Sequence, residues 1–217
     1  YNIVQTIADS SRVLKNLEVF CMKGGFAEGG SLLPAFSYMS NLRAVTLSHC
    51  FNNAIGSSFS CCETLWYLDL SAAAMPTPEL THVPNLRVVH FPSKMWMMPP
   101  RALQRVVCEE LDLSQCRRLQ ALPDFCFEGS GVKNLKLPST IVKCGASCFL
   151  ACALTFLDIR HLDGLTVLPC FTRCSNLKEI RLPTRSLQSI APSAFEDCTA
   201  LQTLDLSLCA QVRSLPM

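Results

Sequence analysis

The chain has 217 residues, of which 49% are hydrophobic, and a formal charge of +2 from 19 basic and 17 acidic residues. That balance excludes the concentrated basic face of a nucleic-acid or membrane-surface binder. No apolar run approaches the roughly 18 residues of a membrane span, and no secretory signal pattern is visible at the N-terminus.

In chain order, apolar residues recur at positions 1, 4 and 6 of a repeated unit. They are Leu14/Leu17/Val19, Leu42/Val45/Leu47, Leu65/Leu68/Leu70, Leu86/Val89/Phe91 and Cys108/Leu111/Leu113. Val132/Leu135/Leu137, Leu154/Leu157/Ile159, Leu177/Ile180/Leu182 and Leu201/Leu204/Leu206 follow. From the second unit onward the spacings are 23, 21, 22, 24, 22, 23 and 24 residues; the first is 28, with the surplus assigned to a protruding loop over Gly24–Gly30. Nine units near a period of 23 define a solenoid. Five or six residues before position 1, Phe recurs at Phe36, Phe59, Phe127, Phe149, Phe171 and Phe195, with Leu80 once in that place. The fifth unit has Ala102 there with Leu103 beside it, which places a one-residue slip near Pro99-Pro100. Two unit forms alternate, one running Leu-Asp-Leu-Ser and the other Leu-Lys-Leu-Pro-Ser-Thr, as at Leu135 to Thr140.

The strand segment Cys108–Leu119 has the C-x-x-L-x-L-x-x-C-x-x-L pattern of a leucine-rich repeat. With the return segments Ile190–Leu201 and Cys144–Leu154, the chain resembles the BspA-type leucine-rich repeats of bacterial and protist surface proteins. The fold expected is an α/β leucine-rich-repeat solenoid, a curved horseshoe with its parallel sheet concave and short helical or irregular returns on the convex side. No single unit buries its apolar edge alone, and stacking makes one continuous core. Residues 1–217 are read as one such domain. Both ends stop inside repeat-like sequence, as at Arg213-Ser214-Leu215-Pro216, so a longer solenoid or covering chains are expected.

Fourteen cysteines fall on a few repeat positions. Cys50, Cys116 and Cys209 follow the strand; Cys126, Cys148 and Cys170 precede the recurring Phe; Cys152, Cys174 and Cys198 lie three residues after it. Stacks of three cannot all pair, so these are read as free, buried, small side chains. That reading, with the absence of an Asn-x-Ser/Thr acceptor, favours an intracellular, cytoplasmic location, the cell surface being the alternative. A zinc site at Cys148, Cys152, Cys170 and Cys174 is the sharper alternative to packing; the expectation is no metal and no cofactor. His49, His82, His90 and His161 stand in no catalytic motif, and the adjacent His49-Cys50 pair is assigned to turn and core. No enzymatic activity is expected.

Binding is expected on the outward face of the strands. Position 5 carries Glu18, Thr46, Asp69, His90, Asp112, Lys136, Asp158, Arg181 and Asp205, whose alternating signs from Asp112 onward predict a self-paired ladder. Position 3 places Tyr67 beside Val88, flanked by Trp66, with Phe156 further along. On the return side, Met95 and Met98 are expected inward, leaving Trp96 and Met97 outside. The candidate protein-binding residues are therefore Trp66, Tyr67, Val88, His90, Trp96 and Phe156. They suit a non-enzymatic interaction module for one or more protein partners, with a place as a subunit of a larger complex among the expectations and neither nucleic acid nor membrane insertion involved. An adhesin or receptor ectodomain, as the resemblance implies for many relatives, and the recognition arm of a ubiquitin ligase are the alternatives.

Overall fold

A computed structural model describes residues 14–24, 36, 39–49, 59, 62–73, 80, 83–183 and 185–213. The loop expected beyond Gly24, Cys50, His82 and the last four residues lie outside the described residues. The strands, in chain order, are β1 (Val19–Lys23), β2 (Ala44–Ser48), β3 (Tyr67–Asp69), β4 (Val88–His90), β5 (Glu110–Asp112), β6 (Ala121–Leu122) and β7 (Asn134–Lys136). They continue with β8 (Lys143–Cys144), β9 (Phe156–Asp158), β10 (Val167–Leu168), β11 (Glu179–Arg181), β12 (Ser189–Ile190) and β13 (Thr203–Leu204). All pairings are parallel, each strand returning one coil later to lie beside its predecessor. The main ladder has two parts, β1-β2-β3-β4 and β5-β7-β9-β11-β13; two-residue strands pair on the return side as β6-β8 and β10-β12.

The chain is thus a parallel β-solenoid with almost no helix. The expectation of helical returns is corrected for the later coils: among the described residues helix is confined to a 3-10 turn at Leu14–Asn16 and to Phe36, and from Arg101 on the returns are tight turns, several leading into short second strands. Such turns take left-handed backbone at one or both of two places, the residues two before and two after the recurring Phe. Arg101, Arg105, Phe125, Ala151, Arg173, Ser193 and Asp197 take it there despite having side chains, as does Gly129.

The core follows the repeat. Positions 1, 4 and 6 are buried from the second coil to the eighth, and the Phe slot forms an aromatic column along the axis. Phe36 and Phe59 stack at 5.2 Å, and Phe127, Phe149, Phe171 and Phe195 continue at 5.5, 5.0 and 5.9 Å with planes within 8° of parallel. Between the two stacks the slot holds Leu80 and Leu103. The Leu103 N–H donates to the Cys126 carbonyl on the rung where Phe127 donates to Cys148, so Leu103 and not Ala102 fills the slot. The slip expected of the fifth unit is not peculiar to it: Leu103 stands five residues before Cys108, as Phe127 and Phe149 stand five before Val132 and Leu154, while the other coils have six.

The first coil corrects the sequence register. β1 pairs Val19 with Ala44, Phe20 with Val45 and Cys21 with Thr46. Its inward residues are Leu17, Phe20 and Met22, with Phe20 packed edge-on against Phe36 at 5.3 Å. Val19 and Cys21 accordingly replace Asn16 and Glu18 as the outward residues at positions 3 and 5. Three residues of the apparent surplus in the first spacing come from this shift.

The cysteine positions gain a second role beyond packing. The thiols of Cys62, Cys174 and Cys198 donate to the carbonyls of Phe36, Phe149 and Phe171 in the preceding coil, at 3.5, 3.0 and 3.1 Å. A buried position one coil below a Phe carbonyl suits a small apolar side chain with a weak donor. Cys152 instead meets the Ser130 hydroxyl at 3.1 Å. Burial pushes the thiols of Cys108 and Cys116 up to about 11, and those of Cys126, Cys148 and Cys174 higher.

Candidate functional site

The two alternating unit forms differ in how the chain leaves the strand. In one, the position-5 aspartate turns back to accept a bond from the N–H two residues on: Asp69 from Ser71, Asp112 from Ser114, Asp158 from Arg160 and Asp205 from Ser207, at 2.8 to 3.1 Å. In the other, that following residue is Pro92, Pro138 or Pro183. Proline has no N–H to satisfy and fixes its own φ, so position 5 is free of the turn and carries His90, Lys136 or Arg181. The alternation of charge is a consequence of alternating turn chemistry.

This alternation groups the coils in pairs. From each aspartate coil to the proline coil after it, the position-6 N–H donates to the position-5 carbonyl: Leu70 to His90 at 2.9 Å, Leu113 to Lys136 at 2.8 Å, Ile159 to Arg181 at 2.9 Å. Three residue pairs close in each case, β3 with β4, β5 with β7 and β9 with β11. From a proline coil to the next aspartate coil the ladder loosens. β4 and β5 do not pair, β7 and β9 share the single pair Asn134–Phe156, and β11 and β13 share two. At each of these seams position 6 is the pre-proline residue, whose backbone is restricted by the ring that follows. The cross-strand ion pairs follow the same grouping. Asp112–Lys136 lies at 3.6 Å and Asp158–Arg181 at 4.0 Å, both within coil pairs, so the predicted ladder closes inside the pairs.

A groove of ≈ 1400 Å³ lies over the two loosest seams, spanning β4, β5, β7 and β9. Its floor includes strand residues that the closed coils hide. Val89 and Leu135 keep 7% and 6% of their surface, whereas Leu68, inside a closed pair, keeps 0%. Its walls carry Val88, His90 and Phe156 from the predicted set, with Glu110, Asn134 and Lys136 between them. At the seam between β7 and β9, the His161 ring meets the Leu137 carbonyl at 2.9 Å. The Arg181 guanidinium sits over the Phe156 ring at 5.1 Å and holds it at the end of the groove.

Beside the groove, the corrected first register completes an apolar row at position 3: Val19, Ala44, Tyr67 and Val88, strand by strand. Val19 is 58% exposed. Trp66 stands at the edge of the row, 46% exposed, its ring 5.8 Å from Tyr67, and His90 approaches Tyr67 edge-on at 5.9 Å. Burial and the neighbouring Asp69 carboxylate push the Tyr67 phenol up, so it stays a neutral donor. Five of the six predicted residues therefore share one face. Trp96 does not: it projects from the return side with Met97, 62% and 41% exposed, while Met95 and Met98 point inward as expected. Val19 was missed because its apolar character had been spent on a core position.

Among the described residues, no group of three or more His, Cys, Asp or Glu is placed to hold a metal ion. The thiols of the alternative zinc reading are directed elsewhere: Cys152 to Ser130, Cys174 to the Phe149 carbonyl and Cys170 to the Pro192 carbonyl. No helix among the described residues is long and apolar enough to cross a membrane.

Asp158 shows how the turn aspartates are held. Hydrogen bonds from the Arg160 side chain lower its carboxyl below the ordinary range, against some burial, and the Arg160 N–H and the Arg181 charge add to this. A carboxylate so lowered contributes stability in full above its unfolded value of about 3.9, and loses it as pH falls through the lower folded value. Asp158→Asn should therefore flatten the acid limb of stability below about pH 4, measured as urea midpoint against pH. The change should be small, because the pair is largely solvated.

Repeated coils, a parallel main ladder and an axial Phe column define a leucine-rich-repeat solenoid. The model of the BspA type leucine rich repeat region, in 6 copies, matches residues 102–215. The chain belongs to this family. Solved structures similar to it include a leucine-rich repeat protein of T. pallidum, 16% identical over 87% of this chain and 79% of that one, with a TM-score of 0.46. A leucine-rich repeat protein from Bacteroides ovatus is 15% identical over 85% and 69%, with a TM-score of 0.37. A leucine rich cell surface protein from Faecalibacterium prausnitzii is 14% identical over 86% and 87%, with a TM-score of 0.29. No curated protein matches the chain.

Proposed function

We propose that this protein is a non-enzymatic interaction module that binds a protein partner on the main-ladder face. The nine coils curve as a horseshoe with that face concave. The observation carrying this reading is the groove over the loosened seams, lined by Val88, His90 and Phe156 and continuous with the row through Tyr67. Exposed aromatics beside a partly opened core offer anchors and a cleft together, the combination found at interface hot spots. Trp96 is a separate, second contact on the return side. Membership of a repeat family of structural and interaction proteins supports the same reading. The free thiols favour an intracellular setting; a surface protein is the alternative, and mostly oxidised thiols in freshly isolated material would decide for it.

The test compares baits. Trp66→Ala with Tyr67→Ala should weaken binding of the partner enriched by wild type about 30-fold, the loss of a central aromatic pair. Phe156→Ala should weaken it less, and far-UV spectra should not change. If both variants bind at full strength while Trp96→Ala does not, the site is the return side instead.

A further inference from the structure

The main-ladder groove does not account for a second apolar patch, on the return side. In the fourth to eighth coils an inward residue, Met95, Leu119, Ile141, Leu165 or Leu187, is followed by two outward positions. The eighth coil fills these with Gln188 and Ser189, so the fold itself does not require apolar residues there. Yet the fourth carries Trp96 and Met97, the sixth Val142 and the seventh Val167, all exposed. β6 pairs with β8 and β10 with β12 in the register of the repeat, which puts these side chains on one face. Val142 leans across the coil boundary onto Gly164, where a Cβ would collide with its Cγ1.

The charges on this face have one sign. From the residue before each inward one to the second outward position, the five coils carry Lys94, Arg118 and Lys143 and no carboxylate. Lys94 and Arg118 hold the same place in neighbouring coils, which the Cys116 thiol ties together through the Pro92 carbonyl at 3.6 Å. Lys143 stands beside Ala121. All three are exposed, and the ion pairs among the described residues use other cations. Asp124 and Asp163 flank the face without lying in it. We propose that this face docks an acidic segment of a protein partner. Its apolar side chains cover Trp96, Met97 and Val142 while its carboxylates meet Lys94, Arg118 and Lys143. Aromatic and Met side chains suit the centre of an interface, and charges its rim. An anionic bilayer is read by a denser cluster, about four to eight cations. This assignment rests on the reading of Trp96 as a second contact and not on the groove.

The chain has two tryptophans, so Trp66→Phe leaves Trp96 as the sole emitter. The probe is a blocked synthetic peptide of about ten residues alternating Glu and Leu, long enough at ~3.3 Å per residue to cross the face. At low salt it should shift Trp96 emission to the blue and shield the ring from iodide. Arg118→Glu with Lys143→Glu should weaken binding about 10-fold or more, as should about 1 M salt, where charges are screened within about 3 Å. Tyr67→Ala should leave binding unchanged. No shift with the Glu peptide, equal binding of the same peptide with Lys for Glu, or indifference to the charge reversals overturns the assignment. A shift produced only by mixed phosphatidylcholine and phosphatidylserine vesicles gives the face to a membrane instead, and one that grows with protein concentration alone gives it to a second copy. Binding lost in Tyr67→Ala but kept in the charge reversals places the peptide on the main-ladder face, which overturns this site and supports the groove.

Discussion

Phe149→Ala should lower the unfolding free energy by about 3–5 kcal/mol, the range for truncating a buried aromatic. Phe149 is 1% exposed and stands between Phe127 and Phe171 at 5.5 and 5.0 Å, so its loss opens a void against two parallel rings. Its carbonyl also accepts the Cys174 thiol, which ties the ring position to the next coil. Phe195→Ala, at the less buried end of the same column, should cost about half as much. Chemical denaturation monitored by far-UV circular dichroism checks both. Because each coil contacts only its neighbours, the Phe149 variant should also broaden the transition by uncoupling the coils on either side. Equal costs at the two sites would mean that the column contributes nothing beyond local burial.

Gly145→Ala should cost about 3 kcal/mol, at the upper end for overpacking. A Cβ at Gly145 would meet the Asp124 carboxyl oxygen, its backbone nitrogen at 2.5 Å and its Cα at 2.7 Å. Backbone cannot rotate away as a side-chain tip can, so β8 must shift from β6, breaking the Gly145 N–H bond to the Leu122 carbonyl at 2.8 Å. The slot itself tolerates a methyl group. Ala191 occupies it two coils later and makes the equivalent bond to Leu168 at 3.0 Å. Ala191→Gly should therefore change stability by less than about 1 kcal/mol. Thermal and urea midpoints of the two variants test the contrast; a Gly145→Ala protein as stable as wild type would show that the coil spacing there yields freely.

Much of this was legible before any coordinates. The apolar positions from the second coil onward, the Phe slot and the outward placement of Trp96 all follow from a repeat that must bury the same face in every coil. The first coil was misread because Leu14/Leu17/Val19 and Leu17/Phe20/Met22 both satisfy the same spacing, three residues apart. Only pairing of Val19 with Ala44 decides between them. Val19 thereby moved from core to surface and completed the apolar row beside Tyr67. The helical returns are an expectation taken from the resemblance; from Arg101 on, the described returns carry too few residues and too many left-handed positions to hold a helix.

The sequence by itself determined the coil, its inward residues and the alternation of aspartate and proline turns, because each is a local pattern repeated along the chain. Tertiary structure alone decided how well successive coils join. Whether one coil's position-6 N–H meets the next coil's carbonyl depends on residues some 23 apart and on the pre-proline backbone between them. That choice zips β3 to β4, β5 to β7 and β9 to β11, and leaves loose seams at β4–β5 and β7–β9. The groove exists because parallel strands stacked by one repeat need not close every rung.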